Sequence, residues 1–164
     1  MAKVTGTFYG DFSCERKERK QAMTIRPEHG SCSFDDFLRE LTFDFFGSGQ
    51  HKVTAGKLLL LPNAVLLDVR SVEEVQTLVL PFSNDLTTLH IPTNEIPDRL
   101  GEIPKDRPVA VFCSAGTRSA IVYAYLRTMG FEQARVLVGG YPDLTEQAKP
   151  GEVWKRLNAR RKGS

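Results

Sequence analysis

The sequence has few of the features that mark secreted, disulfide-linked or membrane proteins. Its 164 residues contain three cysteines, Cys14, Cys32 and Cys113, an odd and widely spaced set that does not suit a secreted disulfide framework. No stretch approaches the roughly 20 apolar residues that a membrane span requires, and residues 1–10 lack an apolar run with a processing site. We therefore expect a soluble protein of the reducing cytoplasm with no membrane partner.

A strong excess of charge is also missing. The chain has 22 Lys and Arg residues against 20 Asp and Glu residues, and the net charge of +2 is too small to indicate a nucleic acid partner. We expect none. The basic clusters at 16–20 and 156–162 are interpreted as solvated surface, with binding to an acidic protein or RNA as the weaker alternative.

Hydrophobic patterning divides the chain into three parts. Residues 1–53 form a polar, basic N-terminal extension with one amphipathic helix predicted at about 33–46, which either packs on the domain or docks a partner. Residues 54–150 alternate short apolar strands with amphipathic helices, which predicts an α/β domain with a parallel sheet. Residues 151–164 form a basic C-terminal helix or tail. The predicted strands span 65–69, 88–91, 109–112 and 135–138, and the predicted helices of the domain span 54–61, 72–80, 94–101 and 119–129.

The most informative segment places a cysteine between an apolar strand and a helix. Cys113 follows the run Val-Ala-Val-Phe and is separated from the predicted helix by a loop of small residues. Amides of such a loop and the positive end of the helix dipole converge on the sulfur, so the thiol pKa should fall below about 8.5. Gly116 allows a positive φ in the loop, and Arg118 adds a cation at its rim. The segment therefore predicts a nucleophilic thiolate in an anion-binding loop.

Cys113 to Arg118 resembles the Cys-x-x-Gly-x-Arg active loop of rhodanese-type sulfurtransferases. Further segments agree with this resemblance in order and spacing: Leu-Leu-Asp-Val-Arg at 66–70 followed by Glu74, His-Ile-Pro at 90–92, and the pair Gly139 and Gly140. The similarity covers about 54–148. It departs from the family pattern at 81–85, where Gly-His-Ile is absent, and after the glycine pair, where the expected aromatic residue is displaced to leave Tyr141 and Leu144.

The resemblance implies a small, doubly wound parallel sheet with helices on both faces and a two-step sulfur relay. Cys113 would take sulfane sulfur from thiosulfate or a low-molecular-weight persulfide and pass it to a thiophilic acceptor, which could be a sulfur-carrier protein. Neither a metal nor an organic cofactor is implied. Asp68 and Arg70 would form a supporting polar network. The implied substrate-binding residues are Ser114, Ala115, Gly116, Thr117, Arg118 and Ser119.

Other interpretations of the same residues remain open. Cysteine phosphatases and arsenate reductases resemble His-Cys-x5-Arg, whereas Cys113 and Arg118 have four residues between them and follow Phe112. A module that only carries sulfur or binds a partner, without turnover, is a second alternative. Arg118 could contact substrate or brace the loop. His90 is more simply explained as a structural histidine than as a base.

The remaining cysteines and histidines suggest weaker possibilities. Cys14, His29, Cys32 and His51 could be assembled into a zinc site, but no close Cys-x-x-Cys pair is present, and no metal site is predicted. Cys14 or Cys32 could also resolve a Cys113 persulfide as a disulfide. A packed or exposed thiol is the simpler expectation for both.

Overall fold

A five-stranded, wholly parallel sheet organises the protein. The computed structural model describes residues 32–80, 82 and 86–162. The strands are β1 (Lys52–Thr54), β2 (Val65–Asp68), β3 (Thr87–His90), β4 (Val109–Phe112) and β5 (Ala134–Val138), in the spatial order β1-β5-β4-β2-β3. The helices are α1 (Phe34–Glu40), α2 (Phe43–Ser48), α3 (Ala55–Leu58), α4 (Val72–Thr77), α5 (Thr117–Thr128), α6 (Gly140–Gln147) and α7 (Pro150–Lys162), with 3₁₀ turns at Thr93–Glu95 and Leu100–Glu102.

The sheet has a hydrophobic core on each face, which confirms the predicted doubly wound α/β fold. Successive side chains of a strand point to opposite faces, so Val65 and Leu67 of β2 join one core while Leu66 joins the other. The first core contains side chains of α1, α2 and α5, and the second contains side chains of α3 and α6. Because β2 and β4 are buried on both faces, their sequences read as continuous apolar runs.

The N-terminal extension shares the first core with the domain. Phe37 of α1 and Phe45 of α2 are buried with Val111, Val122 and the central strands. The edge strand β1 pairs in parallel with β5 and spans the predicted boundary between extension and domain. This strand was not predicted, because its three residues, Lys-Val-Thr, include a single aliphatic side chain.

The single helix predicted at about 33–46 is two helices. Ser33 caps α1 as expected, but the chain leaves the helical conformation at Leu41, where φ is −78° and ψ is 60°. Thr42 then caps α2 by accepting a hydrogen bond from the Phe45 amide at 3.2 Å. The N-caps Ser33 and Thr42 both have a side-chain hydroxyl that accepts a hydrogen bond from a nearby backbone amide. Each therefore begins a helix of its own. The second helix ends at Gly49, whose φ is 69°.

Several predicted helices of the domain are shorter or differently placed. The helix predicted at 94–101 is replaced by the two 3₁₀ turns, since Pro97 between them lacks an amide donor and cannot support a continuous α-helix. Helix α4 ends at Thr77 because Leu78 adopts an extended conformation. Helix α5 begins at Thr117, two residues earlier than predicted, directly after the active loop.

Within the described residues, none of the helices combines the length and apolar character needed to cross a bilayer.

Candidate active site

Cys113 lies at the carboxyl edge of the sheet, where β4 ends. The hydrogen-bonded neighbour β2 ends beside it, in a register that pairs Asp68 with Phe112. Loops that leave the carboxyl ends of adjacent parallel strands meet at this edge, which is the usual ligand site of open α/β sheets. The side chain of Cys113 is buried, and the chain enters α5 four residues later.

Backbone amides and a hydroxyl group surround the Cys113 sulfur. The amides of Gly116 and Ser119 donate to Sγ at 3.1 and 3.4 Å, and the Ser119 Oγ lies 3.5 Å from it. Burial raises the pKa of Cys113, but the Ser119 hydroxyl and the amides of Ser119, Ala115 and Gly116 lower that pKa by more. The net result is a thiol pKa below its ordinary value, which favours the nucleophilic thiolate.

The loop depends on the left-handed conformation of Gly116. Its φ is 87° and it occupies the N-cap position of α5. A Cβ atom at this position would have open space around it, so the requirement for glycine is conformational and not steric. The conformation turns the loop so that its amide meets the sulfur. Ala115 and Thr117 are exposed at the rim.

Arg118 forms a bidentate ion pair with Glu74 in the first turn of the neighbouring helix α4. Its Nη1 and Nη2 donate to the two carboxylate oxygens at 2.5 and 2.8 Å, and Nη2 also donates to the Ser114 hydroxyl at 2.9 Å. The arginine holds the pKa of Glu74 well below its usual range. The pKa of Arg118 is raised by Glu74 and, to a smaller extent, by Cys113. Arg118 therefore braces the loop and also lies close enough to the sulfur to favour its anion.

Glu74 is a further residue of the site, although in the sequence it is recognisable only as the residue that follows the Leu-Leu-Asp-Val-Arg signature at 66–70. Its carboxylate also accepts from the Ser71 amide at 3.0 Å and from the Ser114 hydroxyl at 3.0 Å, while its own amide donates to the Ser71 Oγ at 3.4 Å. These reciprocal bonds are a capping box at the start of α4. The Ser71-x-x-Glu74 pattern could have predicted the capping box from sequence. The ion pair between Glu74 and Arg118 could not have been predicted from that pattern.

Asp68 and Arg70 form a buried ion pair beneath the loops. Nε of Arg70 lies 2.8 Å from Asp68 Oδ1, and Nη1 donates to the Leu78 carbonyl at 3.0 Å and to the Tyr141 hydroxyl at 2.9 Å. The guanidinium also lies 5.4 Å from the Phe112 ring centroid. Arg70 therefore joins the end of β2, the end of α4 and the start of α6 at the edge of the sheet that carries the active loop.

Neighbouring polar groups complete this edge of the sheet. The His90 Nε2 lies 2.9 Å from the Arg70 carbonyl oxygen, which places the imidazole in the backbone network and not beside the sulfur. A cavity of about 230 Å³ opens next to Arg118, between the loops that follow β2 and β3. Ser71, Thr93 and Asn94 supply its polar lining.

The other cysteines and histidines are not brought together. Cys14 and His29 lie outside the described residues, and Cys32 is a half-buried free thiol packed against the first core. Within residues 32–80, 82 and 86–162, His, Cys, Asp and Glu side chains form no group of three or more that could hold a metal ion. The packing of Cys32 agrees with the simpler expectation of a packed thiol, and a resolving role for Cys14 or Cys32 stays the weaker hypothesis.

Several known proteins resemble this chain. A family model described as "Rhodanese-like domain" matches residues 54–147. A sulfurtransferase of Allochromatium vinosum is 36% identical over 78 residues, which cover 48% of this chain and 68% of that protein. The Bacillus subtilis protein YrkF, provisionally named a sulfur carrier protein, is 29% identical over 144 residues, covering 88% of this chain and 70% of that protein. A crystal structure of a rhodanese-like domain protein from Staphylococcus aureus is 31% identical, with coverage of 57% and 89% and a TM-score of 0.48.

Proposed function

The chain belongs to the rhodanese-like domain family, and we propose that it transfers sulfane sulfur through a persulfide on Cys113. The observation that carries this proposal is the ring of donors around the sulfur. Amides at 3.1 and 3.4 Å stabilise a thiolate before the reaction and a persulfide anion after it. The sulfurtransferase name of the Allochromatium vinosum relative supports the same class of reaction.

The proposed reaction has two nucleophilic displacements. The Cys113 thiolate attacks the sulfane sulfur of a donor, a new S–S bond forms, and the old S–S bond breaks. With a persulfide donor the leaving group is a thiolate, and with thiosulfate it is sulfite. An acceptor thiolate then attacks the terminal sulfur, takes it away and returns Cys113 to its thiolate form. Neither half-reaction needs an oxidant or a reductant. The buried Asp68–Arg70 pair acts as a positioning element for the loops.

We further propose that a persulfide is the preferred donor over thiosulfate. Thiosulfate is a dianion, and the single cation of the active loop, Arg118, is already paired with the Glu74 carboxylate. The ion pair leaves little net positive charge to attract two negative charges. A persulfide carries at most one charge on its sulfur, so the amide ring alone can accommodate it. The donor would be a small persulfide or a persulfidated carrier protein.

The Glu74→Gln variant tests this donor preference. Removing the carboxylate frees the charge of Arg118, and an ion pair of this exposure is worth on the order of 1 kcal/mol, so kcat/KM for thiosulfate should rise about fivefold relative to a persulfide donor. Glu73→Gln is the matched control, since it removes the same charge from the same helix without contacting Arg118. The proposed preference is wrong if both variants leave the ratio of the two donors unchanged. Undiminished kcat/KM for the persulfide donor in both variants would establish that the loop is intact.

Mass spectrometry tests the persulfide itself. After incubation with a persulfide donor, the protein should gain one sulfur atom on Cys113, and an acceptor thiol should remove it. Cys32→Ser is the matched control and should still be labelled on Cys113, whereas Cys113→Ser should neither gain sulfur nor transfer it. Sulfur transfer that survives in Cys113→Ser would refute the mechanism.

A second candidate function is sulfur carriage without turnover. The sulfur-carrier name of YrkF, whose similarity extends well beyond the matched domain, favours this alternative. Excess donor and excess acceptor thiol distinguish the two functions. An enzyme consumes many equivalents of donor per Cys113, whereas a carrier accepts one equivalent and releases it only to its protein partner.

A further inference from the structure

A second cavity lies at the opposite end of the sheet from Cys113. Its volume is about 500 Å³, and it is an open cleft lined by the N-terminal segment that contains α1 and α2 on one side and by α5 and the start of β5 on the other. Cys113 follows the last residue of β4, whereas Arg135 of the cavity lies near the first residue of the parallel strand β5. Cavities that bind small molecules have this size.

A buried tyrosine directs an unpartnered hydroxyl group at this cavity. Tyr123 of α5 is 6% exposed, and its ring packs edge-on against Phe37 at a centroid distance of 6.0 Å. The hydroxyl forms no hydrogen bond within the described chain and is open to solvent in the cavity that the residue lines. Burial raises the pKa of this phenol, so it is a neutral donor at physiological pH. A solvent-accessible hydroxyl without a protein partner is free to donate to a bound molecule, which makes this one a candidate ligand contact.

Arg135 brings a charge without an acidic partner to the same cavity. Its Nη1 donates to the carbonyl oxygens of Glu132 and Ala134 at 2.8 and 2.6 Å, and no carboxylate of the described chain lies within ion-pair distance. Burial lowers the pKa of Arg135, which indicates that its charge has lost solvation without gaining a counter-ion. The adjacent Arg127 reaches Glu40 only loosely, at 3.8 Å.

Asp44 brings the complementary unpaired charge. It belongs to α2, lines the same cavity, and forms no ion pair with any described Lys, Arg or His. Asp44 and Arg135 therefore face one cavity without neutralising each other. The four charged side chains of the lining, two acidic and two basic, sum to zero. This balance disfavours a polyanion such as a nucleotide and suits a ligand that carries one charge of each sign.

We propose that this cavity binds a small zwitterion of the amino acid or short peptide class. The carboxylate of the ligand pairs with the Arg135 guanidinium and accepts from the Tyr123 hydroxyl, and its ammonium group pairs with Asp44. Charge-assisted hydrogen bonds of this type are stronger than neutral ones. The site lies away from the reacting sulfur and does not depend on the sulfur-transfer proposal. One wall comes from the N-terminal extension, so the extension would contribute a binding function.

Three forms of one tripeptide test the proposal on the full chain. Trialanine carries both charges, N-acetyl-trialanine keeps only the carboxylate, and trialanine amide keeps only the ammonium group. Amide chemical shifts should show saturable binding of trialanine, with about tenfold weaker binding of each blocked form. Binding should be the same in Cys113→Ser. The proposal is overturned if trialanine does not saturate, or if either blocked form binds as well as trialanine.

Variants assign each charge to its residue. In Arg135→Gln the partner of the ligand carboxylate is gone, so trialanine and trialanine amide should bind equally weakly. In Asp44→Asn the partner of the ligand ammonium group is gone, so trialanine and N-acetyl-trialanine should bind equally weakly. Arg39→Gln is the matched control, because its exposed guanidinium pairs with Asp36 outside the cavity. Tyr123→Phe should weaken binding severalfold without lowering thermal stability, since the hydroxyl it removes has no partner within the described chain. A binding profile for Arg135→Gln that matches the unmodified protein would overturn the assignment.

Discussion

Replacing Ser119 by alanine should raise the pKa of Cys113, because the Ser119 hydroxyl is one of the groups that lower it. A hydrogen bond to a charged group contributes about 1.5–3 kcal/mol, and one pKa unit corresponds to 1.36 kcal/mol. The Ser119 Oγ lies 3.5 Å from Sγ, which is long, and its proton is also shared with the Gly116 carbonyl oxygen at 2.8 Å. A hydroxyl has one proton to donate, so the thiolate receives only part of a full hydrogen bond. We therefore expect the loss of thiolate stabilisation to lie below that of a full hydrogen bond to a charge, at about 1 kcal/mol.

The assay is the rate of iodoacetamide alkylation of Cys113 as a function of pH. A raised pKa lowers the thiolate fraction, so Ser119→Ala should react more slowly than the unmodified protein below its midpoint and at a similar rate well above it. Cys32→Ser as the common background removes the other described free thiol. A circular dichroism melt of each variant shows that the fold is retained.

Ser114→Ala is the matched control for this prediction. The Ser114 hydroxyl binds Glu74 and Arg118 and makes no contact with the sulfur, so its loss should leave the alkylation midpoint nearly unchanged. Equal midpoints for Ser119→Ala and the unmodified protein would refute the assignment of the Ser119 hydroxyl as a thiolate donor. An equal upward shift in both serine variants would attribute the effect to general loosening of the loop.

Three further substitutions and one matched control test the packing that supports the site, each by urea unfolding. Asp68→Asn should cost about 3–5 kcal/mol, because it leaves the fully buried Arg70 charge without its partner; a cost near zero would contradict the burial of the pair. Phe37→Ala should cost about 3–5 kcal/mol, while Phe43→Ala, at a side chain that is 90% exposed, should stay within about 0.5 kcal/mol; similar values for both would mean that α1 does not share the core. Gly139→Ala should cost more than the roughly 1–2 kcal/mol of a left-handed φ, since its Cβ would lie 2.4 Å from a side-chain carbon of α6; an unchanged midpoint would refute this geometry.

The central part of the fold is readable from sequence because local and global signals agree there. The continuous apolar runs of β2 and β4 are typical of strands buried on both faces, and the sequence places both strands to within one residue. The edge strand β1 carries no such signal, since its pairing with β5 depends on residues more than 80 positions away. The break between α1 and α2 is not visible in the hydrophobic pattern, because the apolar spacing continues across Leu41. Thr42 nevertheless supplies the N-cap of a second helix.

The active loop is predictable for a similar reason. Cys113, Gly116 and Ser119 are close in sequence, so the amides and the hydroxyl that meet the sulfur belong to one contiguous segment. The partner of Arg118 is different. Glu74 lies 44 positions away and reaches the loop only because parallel strands bring two crossover segments to one edge. The cavity around Tyr123 is likewise a product of tertiary packing, which spacing and composition do not encode.

The pairing of β1 with β5 has a consequence for any attempt to isolate the matched domain. Cutting the chain before residue 54, where the family match begins, removes two of the three residues of β1 and all of α1 and α2. The backbone donors and acceptors of β5 would then lie open at the margin of the sheet, beside a hydrophobic surface that has lost Phe37 and Phe45. An open strand margin next to apolar surface promotes self-association between molecules. We therefore expect versions shortened at residue 54 to aggregate before they lose their secondary structure.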